Sequence, residues 1–98
     1  MRVKLHPDAR AELRAARKWY YERSPLSAFA FAQTVNSAIS KIRDAPNTYP
    51  LADDGTRKFT LQRFPFSIFY RTEETEIAIV AVAHQKRRPG YWSTRTIP

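Results

Sequence analysis

The chain has 98 residues, no cysteine and no apolar run near the ~20 residues needed to cross a bilayer. Length and composition, 43% hydrophobic and 13% aromatic, exclude a disulfide scaffold and a membrane span and fit one domain with a small core, worth on the order of 5–10 kcal/mol. A formal net charge of +8 points to a polyanionic partner (nucleic acid, an acidic protein or an anionic membrane), against the plainer reading of charge kept for solubility.

The N-terminal stretch MRVKLHPDAR carries no apolar signal core, and a cytoplasmic protein is expected. MRVKL alternates, with Val3 and Leu5 on one face and Arg2 and Lys4 on the other, which predicts a short half-buried strand. Pro7 and Asp8 suit a helix start, and Ala9, Leu13, Ala16 and Tyr20 recur at helical spacing over about Pro7 to Arg23. Glu12, Arg14, Arg17 and Lys18 lie mostly off that stripe. Ser24 can cap and Pro25 open a second helix, in which Ala28, Phe31, Ala32, Val35, Ala38, Ile39 and Ile42 form the strongest periodic signal in the chain. Pro46 disfavours helix at Ala45, so this helix should stop near Asp44. The short break predicts an antiparallel helical hairpin.

PNTYPLADDGT reads as a loop. Three strands are then predicted. RKFTLQRF places Phe59 and Leu61 on one face; after the interruption at Pro65, FSIFYRT places Phe66, Ile68 and Tyr70 on one face; EETE forms a tight turn; and IAIVAVAH is apolar on both faces, as a strand buried on both sides would be. The expected fold is α+β, in the order β-α-α-β-β-β: an N-terminal strand, then an antiparallel helical hairpin packed on one face of a sheet completed by three antiparallel strands, all in a single domain over residues 1–98.

Chemistry is constrained by what is missing. The two histidines, His6 and His84, are far apart, and the two glycines, Gly55 and Gly90, form no phosphate-cradling loop, so neither metal nor cofactor is expected. Asp53–Asp54 and Glu73–Glu74 read as solvated turn residues. What remains is a basic and aromatic set: Arg57, Lys58 and Arg63 around the second strand, Arg71 ending the third, and His84, Lys86, Arg87, Arg88, Tyr91 and Trp92 after the fourth. Guanidinium groups bind phosphates through paired donors, and aromatic rings stack on bases. A metal-free ribonuclease could use the cations to stabilise a phosphorane and His84 or Tyr91 to move protons. Taken singly, His84 reads equally well as a hydrogen-bonded strand-end residue and Trp92 as an anchor of the tail on the core.

The pieces HPDARAELRAARKWYYERSP, FAQTVNSAISKIRDAPNTYP, FPFSIFYR and IAIVAVAHQKRRPGYW together resemble the RelE/ParE superfamily of type II toxin–antitoxin toxins over nearly the whole chain. The more specific part is the aromatic FPFSIFYR strand followed by an apolar strand that ends in HQKRRPGYW. The resemblance implies a growth-inhibiting toxin silenced by an acidic cognate antitoxin, with operator DNA contacted only through that antitoxin and no membrane partner. It also implies one of two targets, ribosome-bound mRNA, which is cut, or DNA gyrase, which is poisoned. On the ribonuclease branch His84, Arg87, Arg88 and Tyr91 would be catalytic; Arg57, Lys58, Arg63, Arg71, Lys86 and Trp92 are the expected target-binding residues. That branch sets cations at alternate positions of the second strand and an arginine in the third. Here Lys58 fits, but Thr60 and Ser67 stand at the other two positions. The departures favour the gyrase-directed, non-enzymatic branch. A third expectation is a binding-only module that keeps antitoxin binding and operon autoregulation without toxicity.

Overall fold

The structure, a computed structural model, describes residues 1–96. In chain order it contains β1 (Arg2–Leu5), α1 (Pro7–Arg23), α2 (Pro25–Asp44), β2 (Arg57–Thr60), β3 (Phe66–Thr72) and β4 (Glu76–His84). The four strands form one sheet in the order β1-β4-β3-β2. Consecutive strands β2, β3 and β4 pair antiparallel, and β1 joins the far side of β4 in parallel, with Arg2 opposite Glu76 and Leu5 opposite Ile79. The predicted α+β order is therefore the fold observed. No helix among the described residues is long and apolar enough to cross a membrane.

Local chemistry fixes the hairpin. The His6 imidazole Nδ1 accepts the Asp8 N–H at 3.0 Å and caps α1, with Pro7 in the first turn, where its missing N–H leaves no helical bond unmade. Ser24 alone separates the helices. Its extended backbone (φ −166°) ends α1, its N–H returns to the Tyr20 carbonyl at 2.8 Å, and its Oγ accepts the Ser27 N–H at 3.3 Å as the cap of α2. Of the predicted stripe of α2, Ala28, Phe31, Val35, Ala38 and Ile42 are buried and Ala32 and Ile39 half-buried. The stripe packs with Ala9 and Ala16 of α1 on the sheet face made by Ile68, Tyr70, Ile77, Ile79 and Val82. Phe31 sits among the rings of Tyr20, Phe64 and Phe66, with centroids 5.1–5.4 Å away, mostly edge-to-face. The fully buried Tyr70 hydroxyl donates to the Pro46 carbonyl at 2.7 Å, which ties the loop after α2 to the middle of β3.

Two details depart from simple alternation. The second strand is shorter than its pattern suggests: it ends at Thr60, and Arg63, expected on or beside it, lies in the following turn with a left-handed φ of 69°. Pro65 has no N–H to offer a ladder, and the turn closes through the Leu61 N–H to the Phe66 carbonyl at 3.0 Å. In β4 the register slips between Phe69 and Tyr70 of β3, which face Ala81 and Ile79, so Val80 is the extra residue of a bulge. The bulge changes the phase of the strand. Ile77 and Ile79 face the helices before it and Val82 after it, while Val80, Ala81 and Ala83 pack in a second cluster with Phe69 and Trp92 on the opposite side.

Candidate functional site

Beyond β4 the chain turns sharply. The Gln85 N–H donates to the Pro65 carbonyl at 2.8 Å, the Arg87 N–H to the His84 carbonyl at 3.0 Å, and the Lys86 N–H to His84 Nδ1 at 3.0 Å. Gly90, at φ +76°, allows the turn that sends the tail back across the sheet face away from the helices. Trp92 then stacks on Phe69 with ring centroids 3.8 Å apart and is 3% exposed. So buried, Trp92 anchors the tail on the sheet, and what remains of its surface lines a groove on the open sheet face.

The end of the tail is held by a residue that the sequence pattern assigns to the solvent side of α1. Glu12 binds the Arg95 guanidinium in a two-pronged pair, at 2.9 and 3.1 Å, and accepts the Tyr91 hydroxyl at 2.5 Å. The same carboxylate accepts the Val82 N–H at 3.0 Å, and Arg95 donates to the Val80 carbonyl at 3.0 Å. These two backbone groups lie on the stretch of β4 beyond Ile79, the last residue paired with β1. Glu12 and Arg95 thus satisfy the edge that β1 leaves open after Leu5. Side-chain exposures of 16% for Glu12 and 14% for Arg95 make this a largely desolvated ion pair, which is costly to break from one side. Burial, and then the Glu12 carboxylate, push the Tyr91 phenol well above its ordinary value of 10.0. It stays protonated at neutral pH, and its one proton is already engaged on Glu12.

The remaining predicted residues fall in three places. Arg57 donates to the Tyr49 carbonyl at 2.8 Å, and Arg71 to the carbonyls of Asp54 at 3.3 Å and Arg95 at 3.2 Å; both fasten loops to the sheet. Arg63 lies apart, against the groove between α2 and the end of β2 that Lys41 also lines. What the fold does bring together is Lys58, His84, Arg87 and Tyr91, around a groove of about 440 Å³ on the open sheet face. Its floor is Thr60, Ser67, Phe69 and Ala83, with Thr60 paired to Ser67 and Ser67 to Ala83 across three strands. Lys58 is its one cation from β2, with Nζ 5.9 Å from the Phe69 ring. Arg87 is exposed on the rim, its guanidinium 4.0 Å from the centre of the Tyr91 ring, and Lys86 and Arg88 are exposed beside it. His84, Arg87 and Tyr91 also line a second, more apolar groove of about 390 Å³ on the α1 side, against Ala15, Trp19 and Phe66. The cationic tail is thus a ridge between two grooves.

The family described as the ParE toxin of the type II toxin–antitoxin system parDE matches residues 3–89. A solved structure described as the chromosomal ParDE toxin–antitoxin system from P. aeruginosa is similar at a TM-score of 0.75 and 27% identity, covering 86% of this chain and 95% of that one. No curated protein shows significant similarity. With the match running from β1 through the turn after β4, the chain belongs to the ParE toxin family of type II toxin–antitoxin systems.

Proposed function

We propose that this toxin arrests growth by engaging DNA gyrase without catalysis and that a cognate acidic antitoxin neutralises it. The observation that carries the choice of target is the composition of the groove. Phosphorane stabilisation needs cations aimed at the reacting phosphate, and each such donor is worth about 10²–10³ in rate. The floor offers Thr60, Ser67 and Phe69, and only Lys58 comes from β2. Tyr91 is committed to Glu12, and His84 Nδ1 accepts the Lys86 N–H. The exposed Arg87 and Arg88, with Lys86, are then contacts to an acidic surface of the target.

The antitoxin reading draws on the hairpin. Tyr21, Leu26 and Phe29 are 62%, 80% and 63% exposed, and Arg17 and Lys18 lie beside Tyr21 and Phe29 in the groove between the helices. Apolar anchors rimmed by cations suit an acidic amphipathic segment.

Induction in cells, followed by supercoiling assays with purified gyrase and mapping of mRNA ends on translating ribosomes, tests the target. Inhibited supercoiling with intact mRNA supports the proposal; codon-positioned cuts with unaffected supercoiling overturn it. The second reading, a ribosome-dependent ribonuclease, rests on Lys58, His84 and Arg87 lining one groove. The binding-only module is separated from both by induction without antitoxin, which would leave growth unchanged. Co-expression with the small acidic protein of the adjacent reading frame should give a complex that survives moderate salt, and failure to co-purify argues against the hairpin as its site.

A further inference from the structure

Arg87 is exposed, yet it is not loose. Its guanidinium carbon lies 4.0 Å from the centre of the Tyr91 ring, and the Arg95 guanidinium lies 5.1 Å from the same ring. The ring is fixed at two points: it meets Trp92 edge-on at 5.3 Å, and its hydroxyl donates to Glu12. Glu12 is itself immobile, because α1 carries it and because Arg95 and the Val82 N–H hold its two oxygens. A connected series therefore runs from a helix carboxylate through a phenol to an exposed cation. An arginine on a free surface samples many rotamers, and an aromatic platform reduces that loss when a partner binds.

We propose that Glu12 is a positioning residue which, through Tyr91, holds the Arg87 guanidinium in place on the ridge between the two grooves. The consequence for growth arrest rests on the reading of Arg87 as a target contact; the geometry does not. A cation–π contact at an exposed site is strong enough to shift the population of one guanidinium orientation by about two- to fivefold.

The experiment has a spectroscopic arm and a cellular arm. In the first, the Arg87 side-chain Nε–H resonance of the isotopically labelled full chain is followed by NMR. It should stand upfield of a solvent-exposed arginine because of the Tyr91 ring current. Tyr91→Leu should return it to the exposed position, and Glu12→Gln most of the way, with circular dichroism unchanged. If Glu12→Gln does not fold, Tyr91→Phe removes only the tether, leaves Glu12 bound to Arg95 and Val82, and should move the same resonance. An Arg87 resonance that stays put in folded Glu12→Gln or Tyr91→Phe overturns the positioning role. In the cellular arm, Tyr91→Phe, which keeps the Glu12–Arg95 ion pair, should raise the inducer dose for half-maximal growth arrest by about two- to fivefold in the wild-type background and not at all in Arg87→Ala. An equal rise in both backgrounds also overturns the proposal, since the tether would then act elsewhere. Undiminished arrest by Arg87→Ala alone removes Arg87 from the target contacts and with it the cellular consequence, while the spectroscopic arm still decides the geometry.

Discussion

Trp92 decides whether the tail is a structural strap or an exposed grip, and Trp92→Ala separates the two. The indole is 3% exposed and stacked at 3.8 Å on Phe69, which is itself 7% exposed. Truncating a buried Trp to Ala typically costs about 3–5 kcal/mol, of which the ring–ring contact accounts for ~0.5–1.5. A domain this size changes entropy by roughly 0.2 kcal/mol per degree on unfolding, so a loss of about 3–4 kcal/mol lowers Tm by roughly 15–20 °C. One feature offsets part of the loss in any variant that removes the indole: its N–H is buried with no partner among the described residues. An unpaired donor of that kind costs about 1–3 kcal/mol. Trp92→Phe removes it, and should therefore be destabilised by much less than the lost ring area alone implies. Thermal melts by circular dichroism measure both. A Tm for Trp92→Ala within about 3 °C of wild type would refute the reasoning, because the indole would then be a surface group open to a partner.

Other outcomes follow from neighbouring contacts. Tyr70→Phe leaves the Pro46 carbonyl without its donor and should cost about 1–1.5 kcal/mol in urea unfolding, with the m-value unchanged. Arg88→Ala should change stability by less than about 0.5 kcal/mol, and Arg87→Ala, which also loses its contact with the Tyr91 ring, by about 0.5–1 kcal/mol, while both weaken growth arrest; a large fall in Tm would show that they are structural. Gly90→Ala forces a side chain into φ +76° with its Cβ 3.7 Å from Asp53 Oδ2, and should lose about 1–2 kcal/mol, read from the melt. The folded-state pKa of Tyr91 is raised by burial and by Glu12, so its contribution is fully present below the ordinary 10.0 and is lost as pH rises through the folded value. The Tm difference between wild type and Tyr91→Phe should therefore be constant from pH 7 to 9 and shrink above about 10. A difference that grows with alkalinity would contradict the assignment.

What the sequence made legible was local. The stripe of α2 reads at three and four because Phe31, Val35, Ala38 and Ile42 all join the one core against the sheet, and Ser24-Pro25 marks the break because cap and first turn are adjacent residues. The β4 bulge had no such signal: a strand apolar on both faces has no alternation for an extra residue to interrupt. The helical pattern places Glu12 off the apolar stripe and gives no sign of its burial, because its partners, Tyr91 and Arg95, lie at the other end of the chain. The same holds for Arg57 and Arg71. Their bonds run to loop and tail carbonyls, acceptors that every residue carries and no pattern distinguishes. Trp92 allowed two readings in sequence because a Trp after a strand is equally suited to stacking outward on a partner or inward on the core, and only the position of Phe69 selects between them.

The parallel seam between β1 and β4 bears on how the toxin comes into being. β1 leaves the ribosome before the other elements described, and among the described residues its strand partner is β4, the last of them to be made. The α1–α2 hairpin, closed through a single residue, can form as soon as its own residues emerge. At synthesis rates of about 5–20 residues per second it then waits roughly 2–8 s for the stretch that ends at His84. During that interval Val3 and Leu5 have no neighbouring strand, and the apolar side of α2 has no finished sheet to cover. The tail that carries the ridge folds only after β4 is in place, since Phe69 and the Val80 and Val82 backbone groups are what it docks on. A chain released before β4 is complete therefore lacks both the seam and the surface on which the tail docks.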